Sequence, residues 1–397
     1  MILPHDRQIA AWLAEGPDQG PSEPLARALA ATRRTSKRPR WSFPERWLPM
    51  QLTFKRPLVP RAVVYLALLA SLLAALVATA LLMPGSQPIP DPLGATNGSI
   101  AYDAGGQLFV ANSDGSDPRP LPQAGKYAYS PAYSPDGSRI AYLSNDASGG
   151  LQVFVAAADG TGATMVSSVA FDGNTKFAPI WSPDGRWLVY AGRDGGVYKV
   201  AADASAMLRV GSGWSPTISP DGAWIAFRSD SGSEALLRVV PADGGEARTL
   251  TSGDANTDDF ATMRWTADSQ EVVFHRGGIH AVALDGTERQ LSTEGGYPTV
   301  SPDGRWVSFF VETSGGVQEL RLVDLETGEA RTLTDRGGCL AVWSPDSTSI
   351  VTFANGCFTD LQVVPLDDPE AATVLDLPSD VAGFAGWQAI PATSDQE

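Results

Sequence analysis

Histidine and cysteine are nearly missing from this chain, with three and two in 397 residues. His5 stands near the start, so only His275 and His280 remain for the body of the chain. That leaves little for a metal centre or for imidazole acid–base chemistry. No Gly-x-Ser-x-Gly stretch occurs, and no alternating helix–strand pattern that could carry such an elbow. An α/β-hydrolase active site is thereby excluded. Positive charge is also short: 29 Lys and Arg face 45 Asp and Glu, a balance of −16. Bulk attraction to nucleic acid is therefore not expected. Long uncharged apolar runs are absent with one exception, residues 62–83.

What is abundant is a repeated phrase. It reads AYSPDGSRIAY at 132–142, IWSPDGRWLVY at 180–190, TISPDGAWIAF at 217–227 and TVSPDGRWVSF at 299–309. Worn copies are RWTADSQEVVF at 264–274 and VWSPDSTSIVT at 342–352. From Ser134 through Ser182, Ser219, Thr266 and Ser301 to Ser344 the steps are 48, 37, 47, 35 and 43 residues. Proline presets φ, aspartate tolerates the next position and glycine supplies positive φ, so each phrase is a tight turn between two strands. A second turn follows about 20 residues later, as in Asp159-Gly160, Asp243-Gly244 and Asp285-Gly286. Third-strand segments lie between the two turns (153–156, 197–200, 237–240, 320–323), and a fourth strand closes each unit. A repeat of about 40 residues with four antiparallel strands predicts a β-propeller blade.

The ends settle the closure. Residues 99–121 supply only strands two to four, and residues 381–391 supply a first strand and then stop. The fold class expected is all-β: a seven-bladed β-propeller with 3+1 strand closure, six or eight blades being the alternatives. The turn aspartates (Asp136, Asp184, Asp221, Asp303, Asp346) are expected to bond locally within their turns. The tryptophans before the turns (Trp181, Trp265, Trp343, Trp387) are expected between blades.

The WSPDG turn followed by an Ile/Leu-Ala/Val-Tyr/Phe strand resembles the TolB-like, WD-repeat-like propeller family over roughly residues 95–391. The resemblance implies a scaffold used in binding, sensing and, beside separate catalytic domains, hydrolysis; it does not choose among them.

Residues 62–83 carry no charge, and 22 residues of helix would span a bilayer core. Residues 31–61 hold nine Lys and Arg against one acid, while 84–397 hold 18 against 40 acids. The expectation is an uncleaved single-pass membrane anchor with a cytoplasmic N-terminus and an extracytoplasmic propeller. A cleaved leader is the rival. The domains expected are a basic cytoplasmic tail at 1–61 with two short helices (6–15 and 23–35), the transmembrane helix at 62–83, a linker at 84–96, the propeller at 97–391 and a disordered end at 392–397. A short helical tail, one span and an external sensor resemble membrane-bound anti-sigma factors, which implies a cytoplasmic regulator held through residues 1–40.

Candidate sites are sparse. A hairpin turning at Gly277-Gly278 would set His275 and His280 opposite each other, with Asp254 as a nearby third ligand, so these are weak metal candidates. No cofactor is expected. Cys339 and Cys357 fall toward one face of the ring and could form a disulfide; two buried free thiols are the alternative. The irregular loops opposite the stereotyped turns are the expected recognition face. Their aromatic and charged members form the candidate contact set: Lys176, Trp214, Asp258, Asp259, Phe260 and Tyr297. The function expected is a membrane-anchored, non-catalytic module binding a protein, peptide or glycan. Alternatives are a transmembrane regulator with the propeller as sensor, and a metal-dependent propeller hydrolase or lyase.

Overall fold

In the computed structural model, each repeated phrase closes its hairpin with the same set of bonds. The Ser134 hydroxyl donates to Asp136 Oδ1 and accepts from the Arg139 amide, while Asp136 Oδ1 also accepts from the Ser138 amide. The same three bonds recur around Ser182, Ser219, Ser301, Thr266 and Ser344. The turn aspartates thus do the local work expected of them. The glycines that end four of the phrases have φ between 65° and 74°. In the two worn copies Ser269 and Ser347 adopt φ 61° in their place.

The structure describes residues 95–390 except 172–178, 314–317, 339–340, 355, 358–359 and 376–381, with backbone alone at 382–385. Among the described residues the strands form seven four-stranded antiparallel sheets. Blade 2 runs Ala128–Tyr133, Arg139–Asn145, Leu151–Ala157 and Thr164–Met165. Blades 3 to 7 follow with first strands Ile180–Trp181, Trp214–Ile218, Met263–Trp265, Gly296–Val300 and Ala341–Trp343. Blade 1 takes Thr96–Ala104, Gln107–Ala111 and Arg119–Pro120 from the start of the propeller and Ala382–Ile390 from its end. Ile100 sits opposite Trp387 and Ala101 opposite Gly386. The 3+1 closure and the count of seven are as expected. Each first strand touches the first strands of both neighbouring blades, so these seven form the inner ring around the channel.

The core is divided among the blade interfaces. Ile100 and Tyr102 pack with Val351 and Phe353 of blade 7, whereas Ala101 packs with Ile140 and Tyr142 of blade 2. Leu188 and Tyr190 likewise face blade 2 while Val189 faces blade 4. Alternate side chains go to opposite neighbours. Both faces of a blade are therefore buried, which explains runs such as LVY and IAF with no polar alternation.

One expectation is corrected here. The apolar residues of the described chain alternate along strands and pack between blades, and no helix among the described residues is long and apolar enough to cross a membrane. The segment 62–83 lies outside the described residues, as do the tail helices expected at 6–15 and 23–35. The single-pass anchor in a lipid bilayer, the cytoplasmic N-terminus, the extracytoplasmic placement and the regulator-holding tail are not supported by the described residues.

Candidate functional site at the channel mouth

The Ser-Pro-Asp-Gly turns do more than close hairpins. In blades 2 to 7 they join the innermost strand to the second, so their tips gather around one end of the channel. There they enclose an open cavity of about 610 Å³. Every blade contributes: Pro135, Pro183, Pro220, Pro302 and Pro345 from five of the turns, Ala267 from the worn turn of blade 5, and Trp387 and Ala389 from the closing strand. Ala95 also lines the cavity.

Tryptophans fix the wall. Trp181 donates its indole N–H to the Ala132 carbonyl of blade 2 at 2.9 Å, and Trp343 to Thr299 Oγ1 of blade 6 at 3.0 Å. Trp265 reaches the Thr217 carbonyl of blade 4 at 3.4 Å in the same way. These are the blade-to-blade tryptophans the sequence predicts. Trp387 instead donates to Gly98 within blade 1. Each is nearly buried, yet Trp181, Trp343 and Trp387 present an edge to the cavity. The ring position of the apolar groups is thus set by buried hydrogen bonds, not by mobile loops.

Two carboxylates, Asp221 and Asp268, stand at the rim. Each has Oδ1 committed to its own turn. The Ser219 hydroxyl is held by Asp221, and Ser269 Oγ accepts the Asp221 amide at 3.0 Å. The mouth therefore offers apolar faces and negative charge.

The expected contact residues lie elsewhere. Trp214 and Tyr297 begin first strands at the opposite end of the ring, and Lys176 lies outside the described residues. Arg228 stacks over Trp214 with 5.7 Å to the ring centre. It also donates to the carbonyls of Ala255, Thr257 and Asp259 and pairs with Asp230. The acidic loop 254–259 is tied down by this one guanidinium. Asp259 is buried and accepts the Asp254 amide, and Phe260 is wholly buried against Phe274 at 5.0 Å. Phe260 is therefore core, whereas Tyr297 is 44% exposed and Asp258 is exposed on the loop.

The metal reading is corrected as well. His275 pairs with Ile279 and Phe274 with His280, one residue out of the expected register. A one-residue shift turns alternate side chains to opposite faces. His280 stacks on Phe274 and its Nδ1 lies 3.0 Å from Glu288, which Arg276 and Thr251 also hold. Burial lowers the His280 pKa, with Glu288 opposing. Asp254 is engaged by Asn256. Among the described residues no group of three His, Cys, Asp or Glu could hold a metal ion. The metal-dependent hydrolase or lyase therefore has no metal centre among the described residues. Cys357 is not a free thiol, and Cys339 lies outside the described residues.

Sequence reasoning passed over the mouth because it took the stereotyped turns as mere connectors. The signal was present: a proline at the tip of five of the six repeats, in turns that adjoin the innermost strand.

Comparison with known proteins bears on this fold. The family model described as TolB beta propeller domain matches residues 95–347. No curated protein matches the chain. Among solved structures, TolB from Acinetobacter baumannii is similar at 16% identity, covering 74% of this chain and 80% of that one, with a TM-score of 0.48. Oligogalacturonate lyase from Vibrio parahaemolyticus is similar at 14% identity over 71% and 84%, with a TM-score of 0.51. A puromycin-hydrolyzing peptidase from Mycobacterium tuberculosis is similar at 14% identity over 74% and 56%, with a TM-score of 0.50. At such identities the likeness concerns the fold alone.

Proposed function

This chain belongs to the TolB β-propeller domain family, and on that footing we propose that it binds a protein partner by taking an extended peptide segment into the channel mouth. The observation that carries this reading is the cavity of about 610 Å³ with walls supplied by all seven blades. Its tryptophans are nearly buried and held by hydrogen bonds, so little ordering cost opposes binding. Proline rings and tryptophan edges suit apolar or proline side chains of an extended segment. Asp221 and Asp268 at the rim suit a lysine or arginine in the same segment.

The test is selection of peptides from a displayed random library against the full chain, followed by titration. Enriched peptides are expected to combine apolar residues with a basic one. Ala267 is exposed on its turn and lines the mouth, so Ala267→Trp fills the cavity without entering the core. This variant is expected to weaken peptide binding by about tenfold or more, at an unchanged melting temperature. Asp268→Asn keeps the turn acceptor and removes the charge, and is expected to weaken basic peptides only. Absence of enrichment, or binding indifferent to Ala267→Trp, would overturn the reading.

A further inference from the structure

The mouth is not the same all the way round. Among the described residues, every carboxylate and hydroxyl that lines it comes from blades 4 and 5: Ser219, Asp221, Asp268 and Ser269. In a ring of seven, blade 1 stands across from the junction of blades 4 and 5. That far side is apolar, with Trp343 of blade 7 and Trp387 and Ala389 of blade 1.

The asymmetry is built into the turns. All six repeats carry an aspartate, yet only those of blades 4 and 5 line the cavity. Asp136 Oδ2 accepts from the Ser138 hydroxyl at 2.8 Å, and Asp346 Oδ2 accepts from the Asn97 amide at 2.9 Å. Asp221 and Asp268 use Oδ1 for their turns and leave Oδ2 outside those bonds. Arg186 and Arg305 follow the aspartates of blades 3 and 6 by two residues, where blades 4 and 5 have Ala223 and Gln270. Arg289 is near enough to sense Asp268, but both oxygens of Glu271 hold it. The two acidic turns are also tied together, because Ser269, next after Asp268, accepts the Asp221 amide at 3.0 Å. Two like charges on adjoining turns concentrate negative potential at one side of the opening. An exposed ion pair alone contributes little. Its selectivity comes from the apolar wall across the same cavity, which a bare cation leaves unused.

We infer that the mouth is polarised across its diameter: a bound peptide sets one lysine or arginine at Asp221 and Asp268, and an apolar or aromatic side chain against Trp343 and Trp387 on the far side. This rests on the peptide reading of the mouth and adds to it the two specificity-determining carboxylates and the direction in which the segment lies. The partner is then a segment with a basic residue and an apolar one at a fixed separation, and the order of the two decides how its chain crosses the ring.

The test uses the full chain and a library-selected peptide, resynthesised with norleucine in place of its basic residue. The parent is expected to prefer the basic peptide by about tenfold. The double variant Asp221→Asn with Asp268→Asn keeps the turn acceptors and is expected to prefer it by less than about twofold. Asp184→Asn with Asp303→Asn, the same change in blades 3 and 6, is expected to keep the full preference. A benzophenone side chain beside the basic residue is expected to cross-link to 218–224 or 267–270, and one at the apolar position to 341–345 or 386–390. Equal loss of preference in both double variants, or cross-links that do not separate the two sides, would overturn the inference while leaving peptide binding at the mouth intact. Failure of every peptide to bind, or binding indifferent to Ala267→Trp, would instead overturn the peptide reading and this inference with it. Should the Asp221 and Asp268 variant fail to fold, the parent decides through the norleucine peptide and the cross-links: less than twofold preference or unseparated cross-links overturn the inference.

Discussion

At the scale of single residues, the worn repeats show what the intact ones achieve. Ser269 and Ser347 occupy the glycine position at φ 61°, a region that costs a side chain roughly 1 kcal/mol. Each returns something. Ser269 Oγ accepts the Asp221 amide and Ser347 Oγ the Asp303 amide, both at 3.0 Å and both across a blade interface. Ser347→Ala keeps the strain and loses the bond, so it is expected to cost about 1 kcal/mol in urea unfolding. Ser347→Gly relieves the strain while losing the bond, and is expected within about 0.5 kcal/mol of the parent. An alanine variant as stable as the glycine variant would show that the backbone angle does not matter there. Cys357 belongs to the same scale. Its proposed partner is Cys339, the one other cysteine of the chain. Unreduced protein should resist alkylation, and reduction is expected to lower stability by about 3 kcal/mol.

At the scale of elements, the hairpin turns carry a pH dependence. Burial acts to raise the Asp136 and Asp346 carboxyls, but hydrogen bonds from their own turns outweigh it and leave both below the usual carboxylate range. Asp146, in the next hairpin of blade 2, is held at about 2, chiefly by the Ser148 hydroxyl and then Gln152. A carboxyl lowered on folding contributes stability that is complete above its unfolded pKa of about 3.9. That contribution drains away as the pH falls through the folded value. The melting temperature is therefore expected to stay level from about pH 7 to 5 and to fall below about pH 4. A melting temperature that begins to fall near pH 6 would point instead to His280, whose pKa burial lowers. The tryptophans act on the same scale. Trp181→Phe removes the bond to Ala132 while keeping most of the apolar contact, and is expected to cost about 1–2 kcal/mol by urea denaturation. Indistinguishable unfolding midpoints would mean that packing alone holds the mouth wall.

At the scale of the whole molecule, the ring depends on one strand. Ala382–Ile390 pairs with Thr96–Ala104 and brings Trp387 into the interface between blades 7 and 1. Deleting the chain from Ala382 onward exposes an open edge on an otherwise closed ring. The truncated protein is expected to elute as aggregate in size-exclusion chromatography and to lose a cooperative melt. A monomeric, cooperatively melting truncation would show that six blades and a fragment suffice.

The sequence by itself determined the blades. Ser-Pro-Asp-Gly chemistry is local, two-residue alternation is local, and the unfinished first unit declared its missing strand, so the seven-bladed ring was legible from Ser99 to Pro391. It also placed the turn aspartates and the inter-blade tryptophans, because every copy of the phrase repeats their setting. What only the tertiary structure decided depends on register and closure. His275 and His280 part company because the hairpin takes three residues where two were expected. Phe260 is core because its loop folds back under Arg228. The prolines become the wall of one cavity only when six turns, tens of residues apart, meet with the closing strand at one end of the channel. Local hydrogen bonding and alternation act within a few residues and can be read along the chain; the meeting of distant surfaces cannot.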